Sequence, residues 1–313
     1  MKKRLLFAAQ IVLFGLFSFC LVATILQFSE TSNPLKRFDQ EEPVYNNTEA
    51  FTPAFSRLNT IKKVEQFCDS IYAEKIVADN SLEFEKTYVD IVFDAIKNRF
   101  YHGYSSFGFG NNYVSYLISS VTVPGLSAPV LPDDILKFPY AACSQQAIVM
   151  MEVLAHKGFK TRKVTFQGKL SGHFAFEVYY DNAWHFNDPN LEPDIKILDS
   201  YGRPGIDFLA KNTSVLLRAY GQYTNEKVLD VFHNYSYGPI NEFPAGKAAF
   251  FQRVTGFLSY TIWLFFLAAF LLVRRKYLRI SKSNAQENNR IAIPLIQPEA
   301  APVYYPDYKA QGA

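Results

Sequence analysis

Apolar residues are densest in two runs near the chain ends, Leu5 to Phe28 and Val254 to Val273. Each is about the 20 residues a helix needs to cross the hydrocarbon layer. Between them the pattern breaks into shorter periods. From Leu58, the residues Ile61, Val64, Cys68, Ile71 and Tyr72 recur at three- and four-residue intervals, which predicts a helix with Cys68 facing a core. A second helix is predicted from Asn80 and Glu83 in capping-box positions, with Phe84, Tyr88, Ile91, Ala95 and Ile96 as its apolar stripe and an end before Gly103. Residues 103–112, GYSSFGFGNN, read as a loop; they lack the Gly-Lys-Ser/Thr ending that would bind a nucleotide phosphate. Pro124-Gly125, Pro129 and Pro132 mark further turns.

The stretch from Tyr140 to Pro189 is the best patterned. Ser144 to His156 predicts a helix buried through Ala147, Ile148, Met151, Leu154 and Ala155, with Gly158 where a helix end wants a left-handed residue and Cys143 at the start. From Lys160 the period changes to two: Val164 and Phe166, then after a glycine-containing turn Phe174, Phe176, Val178 and Tyr180, then Ala183 to Asn187. The fold class is therefore α+β, a helix packed on an antiparallel sheet. Phe208, Leu209, Leu216, Leu217 and Tyr220 suggest one later helix and Val228, Val231 and Phe232 another, completing the domain.

If Asp181-Asn182 is a two-residue hairpin turn, Tyr180 opposes Ala183 and the indices of every opposed pair sum to 363. His173 and Asp188 then share one sheet face as diagonal neighbours, within reach of a side-chain hydrogen bond, while His185 opposes Val178 on the other face. A cysteine at a helix N-terminus sees the positive end of the dipole, which favours thiolate. Cys143, His173 and Asp188 are thus the three residue types a thiol nucleophile needs. His102, His156 and His233 lie near element ends and read as surface or capping groups.

This pattern resembles the transglutaminase-like superfamily, a papain-like cysteine fold, in its membrane-anchored bacterial type. The residues that carry the likeness are Cys143 on its helix, Gly172-His173 opening a strand, and Asp181, Trp184, Asp188 and Pro189 in the next. The link LAHKGFKTRKVTF, with a glycine and an arginine before the first strand, is also similar, and the likeness spans residues 81–194. It implies Cys143 as nucleophile, His173 as general base and acid, and Asp188 as the group orienting His173, in acyl transfer or amide hydrolysis through a thioester. Ala141-Ala142 stands where the family has a glycine, and no tryptophan or glutamine lies shortly upstream to form an oxyanion hole. Cys143 N–H is one donor; Gln145 and Tyr140 are candidates for the second.

Charge refines the organisation. Lys2, Lys3 and Arg4 precede the first apolar run and Arg274, Arg275, Lys276 and Arg279 follow the second. The positive-inside rule then predicts both termini in the cytoplasm and the segment between the runs outside. A cleaved signal peptide would share the basic start, but the run is long for one and no small-x-small site precedes Ser29. The chain divides into a cytoplasmic 1–4, a transmembrane 5–28, a linker 29–56 with Pro34, Pro43 and Pro53, an extracytoplasmic domain 57–250, a transmembrane 254–273 and a disordered tail 274–313. A net charge of +3 gives no reason to expect nucleic acid. Three cysteines, one of them Cys20 in the first run, exclude a disulfide-stapled scaffold but allow a single bridge between Cys68 and Cys143.

Adjacent Asp133 and Asp134 lack a His or Cys to complete a metal site, and the thiol mechanism needs no metal or organic cofactor. The expected partners are the bilayer and a peptide or protein substrate, such as a wall peptide. The competing reading is a non-catalytic module that binds peptide or glycan in a cleft lined by Tyr179 and Trp184. In that case Cys143 is an ordinary buried thiol. The tail segment Val303 to Tyr308 reads as a solvated terminus, with docking of a cytoplasmic partner as its alternative.

Overall fold

The computed structural model describes residues 2–31, 51–123, 125–169 and 172–292. It mixes helix and sheet in two compact units. One consists of the described residues of Met1–Leu21 and Thr261–Ala313, the other of Val22–Tyr260.

The first unit is a pair of helical segments from α1 (Lys2–Thr31) and α11 (Gly246–Ala292). Ring contacts join them, Phe14 to Phe270 at 5.5 Å and Phe17 to Trp263 at 6.3 Å. Leu5, Ile11, Phe14, Phe265 and Leu272 remain exposed, so these helices present apolar surface that water does not favour. Both are long and apolar enough to cross a membrane, and they fit a membrane protein. α11 does not stop at the basic cluster. It continues to Ala292, where a disordered tail is expected from residue 274, because no Gly or Pro interrupts the helix formers before Pro294. The prolines from 294 onward, the Val303 to Tyr308 segment, the linker residues 32–50 with Pro34 and Pro43, and Pro124 lie outside the described residues.

In the second unit the end of the linker is docked: Phe51 stacks on Tyr101 with ring centres 3.9 Å apart, and Pro53–Arg57 form a 3-10 turn. Helix α2 (Ile61–Ala78) is capped by Thr60, whose hydroxyl accepts from Lys63 N–H. It packs on α3 (Phe84–Arg99) through Ile61, Val64 and Cys68, as the period predicts. The expected capping box of Asn80 and Glu83 does not form. Asp79 instead takes both the N–H and the hydroxyl of Ser81, and α3 begins a turn later. The glycine-rich segment is a loop only to Gly108. Helix α4 (Phe109–Val121) follows, its entry fixed by Asn111 Oδ1 accepting from Gly108 N–H over 3.2 Å.

Short β1 (Tyr101–His102) and β2 (Tyr140–Ala141) pair in parallel, flanking the single turn α5 (Pro132–Ile135). Next come α6 (Cys143–His156), β3 (Lys160–Gln167), β4 (Gly172–Tyr180) and β5 (Ala183–Asn187). Asp181 and Asn182 take φ of 46° and 58°, the left-handed pair of a tight hairpin, and Tyr180 opposes Ala183 as the arithmetic requires. The sheet runs β5-β4-β3-β6, all antiparallel, with β6 at Tyr235–Tyr237.

The even positions of β4, Phe176, Val178 and Tyr180, join α2, α3 and α6 in one core. The other face, through Val164, Phe166, Ala175 and Phe186, is covered by α7 (Ile195–Asp199), α8 (Ile206–Lys211), α9 (Thr213–Ala219) and α10 (Asn225–Val231). The sheet is therefore buried on both faces.

Candidate functional site

His173 opens β4 on the face toward α9, against Phe166 and Phe232. Its Nε2 lies 2.8 Å from Asp188 Oδ2, and both side chains are almost wholly buried. The diagonal relationship drawn from the hairpin register is thus realised as a hydrogen bond. Asp188 is fixed in turn: Oδ1 accepts the backbone N–H of Asn190 and Leu191, and Oδ2 accepts the Tyr220 hydroxyl over 2.9 Å. The turn beyond it is held by His102 against Glu192 at 2.9 Å and by Gln222 donating to the carbonyls of Leu191 and Glu192.

Cys143 is the first residue of α6 and only half-buried, and its thiol is free. It lies close enough to the His173 ring to bear on its titration. Burial disfavours the imidazolium, but the Asp188 charge and hydrogen bond together with the neighbouring Cys143 outweigh it, and the His173 pKa rises. The N–H groups of Gln145 and Gln146 bond back to Ala142 C=O, while those of Cys143 and Ser144 stand at the open start of the helix.

Gln145 is almost fully buried and belongs to the scaffold. Its Oε1 accepts Ala142 N–H at 2.9 Å and Ser105 N–H at 3.4 Å, and its Nε2 donates to Pro129 C=O at 3.0 Å. Those bonds use its amide, so it is not the second oxyanion donor. Tyr140 packs its ring against Tyr101, and its carbonyl accepts from Ser105 Oγ. Tyr104, on the same loop as Ser105, is mostly exposed. Its pKa is raised first by partial burial and then by the Cys143 charge.

Sequence reasoning missed Tyr220, which required knowing that α9 covers this sheet face. Tyr179 and Trp184 do not line this site. They pair with each other at 5.2 Å near the hairpin turn, six residues along β4 from His173 and so roughly 20 Å away.

His185 is turned to the opposite face, stacked on Tyr180, with its ring nitrogens at the carbonyls of Arg203 and Tyr180. Cys68 is also a free thiol, fully enclosed on α2; burial and then the neighbouring Asp69 push its pKa up to about 12. Among the described residues, no group of three His, Cys, Asp or Glu is placed to hold a metal ion. Compared with known protein families, curated proteins and solved structures, the chain matches none.

Proposed function

We propose that the chain is a membrane-anchored, transglutaminase-like cysteine enzyme, with a papain-like core held outside the cytoplasm between two transmembrane helices. It would catalyse acyl transfer or amide hydrolysis on a peptide-bearing envelope substrate. One observation carries this reading: the buried His173 is bonded to Asp188 and lies within electrostatic reach of the half-exposed Cys143, which stands at a helix start.

In the first half-reaction His173 already carries a proton, as its raised pKa requires, and Sγ attacks the substrate carbonyl carbon as the thiolate of that pair. The oxyanion that forms is met by Cys143 N–H at the open start of α6. When the C–N bond breaks, the leaving amine takes the proton from His173 and the acyl group remains as a thioester. Water or a second amine then attacks; His173 accepts its proton, and the thioester opens to release the Cys143 thiolate beside the protonated ring. The raised proton affinity of His173 suits it to hold that proton until the amine departs.

The test is iodoacetamide labelling of the full chain in detergent across a pH series, read by peptide mass spectrometry. Cys143 is expected to label quickly and to slow on His173→Ala, while Cys68 labels only after unfolding. A Cys143 no faster than a free cysteine, or one disulfide-linked to Cys68, would leave the non-catalytic peptide-binding module as the better reading.

A further inference from the structure

A cavity of about 520 Å³ lies within the second unit, away from Cys143, lined from α4, the α5 turn and the first turns of α11. Its size falls within the roughly 300–1,000 Å³ of small-molecule sites. Its lining mixes two chemistries: Phe107, Phe138, Phe257 and Tyr260 are aromatic, and Asn59 and Asn111 are polar.

The wall supplied by α11 is rigidly set. Gln252 accepts from Val130 N–H at 2.9 Å and also donates to Ala128 C=O, and Asn112 Nδ2 donates to Thr255 Oγ1 at 3.1 Å. Three charges line the space. Lys137 and Asp134 pair with each other at 2.6 Å, which leaves Arg253 as the net charge; it is exposed and has no ion pair among the described residues.

The position of Arg253 decides the occupant. It is the residue immediately before the apolar run that begins at Val254, so a cation stands where the helix passes from polar to apolar surroundings. Phe257 and Tyr260 follow within two turns, and Phe28 contacts Tyr260 at 5.0 Å, an aromatic grouping of the kind found at membrane interfaces. A cation, aromatic rings and polar groups lining one space complement a molecule with an anionic head and an apolar tail.

We propose that this cavity binds one anionic phospholipid of the surrounding bilayer, its phosphate at Arg253 and its acyl chain against Phe257. The proposal rests on the membrane reading of the two helices and not on the thiol chemistry. Gly256 supplies a direct probe, because a Cβ there would meet only Asn112 Nδ2, at 3.9 Å, so a larger side chain enters the cavity without striking backbone.

Membranes holding the full chain are first extracted with alkaline carbonate. The purified protein is then given phosphatidylglycerol or phosphatidylcholine of identical acyl chains and examined by native mass spectrometry. One phosphatidylglycerol should be retained per chain, about fivefold over phosphatidylcholine. Arg253→Glu should abolish that preference, and Gly256→Leu should expel both lipids. Retention that ignores the headgroup, or that survives either substitution, overturns the lipid site. Release of the chain by carbonate overturns the membrane reading on which it stands.

Discussion

Tyr220 and His173 meet on one atom. The Tyr220 hydroxyl donates to Asp188 Oδ2 over 2.9 Å, and His173 Nε2 lies 2.8 Å from the same oxygen. With the N–H groups of Asn190 and Leu191 on Oδ1, four donors converge on one buried carboxyl group. Burial, followed by the Asp188 charge, holds the Tyr220 pKa well above its ordinary value, so the hydroxyl remains a donor throughout the usual pH range. The rotamer of Asp188, and through it the plane of the His173 ring, is thus fixed by the residue that ends α9.

Removing that donor should be felt in two ways. Tyr220→Phe leaves one acceptor site of a buried carboxyl group without its partner, which costs about 1–3 kcal/mol. It should also slow alkylation of Cys143, because His173 loses a constraint on its orientation. Urea unfolding and the labelling rate measure the two effects separately. Loss of stability with unchanged labelling would make Tyr220 a packing residue only.

The raised pKa of His173 has a pH signature. The proton is bound more tightly in the folded than in the unfolded chain, so the stabilisation is complete below the ordinary value near 6.5. It is lost as pH rises from there to about 10. The loss is expected to be on the order of a few kcal/mol. The urea midpoint should therefore fall across this interval, and His173→Gln should flatten it. An unchanged slope in the variant would place the dependence on other groups.

What the sequence could reveal followed the range of the interactions. The Asp181-Asn182 turn is local, and a two-residue hairpin admits one register, so the His173 and Asp188 pairing was readable from index arithmetic. Cys143 at the start of α6 was equally local, signalled by the apolar stripe and by Gly158. Helix α4 was hidden because its entry is a glycine-rich loop, and its capping group, Asn111, reads as a turn residue. Tyr220 and the scaffold role of Gln145 depend on contacts between segments far apart in the chain, Asp188 with Tyr220 and Ser105 with Gln145. No periodicity encodes those. The membrane runs were visible in composition, whereas the extension of α11 to Ala292 depended on propensity alone.

Gln145 joins three segments around the thiol, the Ser105 loop, Pro129 and Ala142. Gln145→Glu keeps the shape and the acceptor but sets a carboxylate oxygen against Pro129 C=O. The expected outcome is a fall in Cys143 labelling rate on the order of tenfold, since displacement of a positioned group is costly to reactivity. Far-ultraviolet circular dichroism should show the helix content retained. A variant that labels like the parent chain would mean that the segments are held without this amide.

Glu177 offers a sharper case, because a glycine makes room for it. The fully buried carboxylate receives Arg162 Nε at 2.7 Å and Ile206 N–H at 2.7 Å, while the Arg162 guanidinium lies over the rings of Trp184 and Tyr237. A Cβ on Gly205 would stand 2.8 Å from Glu177 Oε1 and 3.0 Å from Trp184 C=O. Gly205→Ala should therefore destabilise by about 1–3 kcal/mol through forced displacement. Glu177→Ala, which strands the mostly buried Arg162, should cost about 3–5 kcal/mol. The two effects share an atom and should not add: with Glu177 shortened, the alanine at 205 has only the Trp184 carbonyl to meet. A double-mutant cycle by urea unfolding should give a coupling of at least about 0.5 kcal/mol, with the double variant more stable than the sum predicts. Simple additivity would mean that the glycine is required by the Trp184 backbone and not by the buried carboxylate.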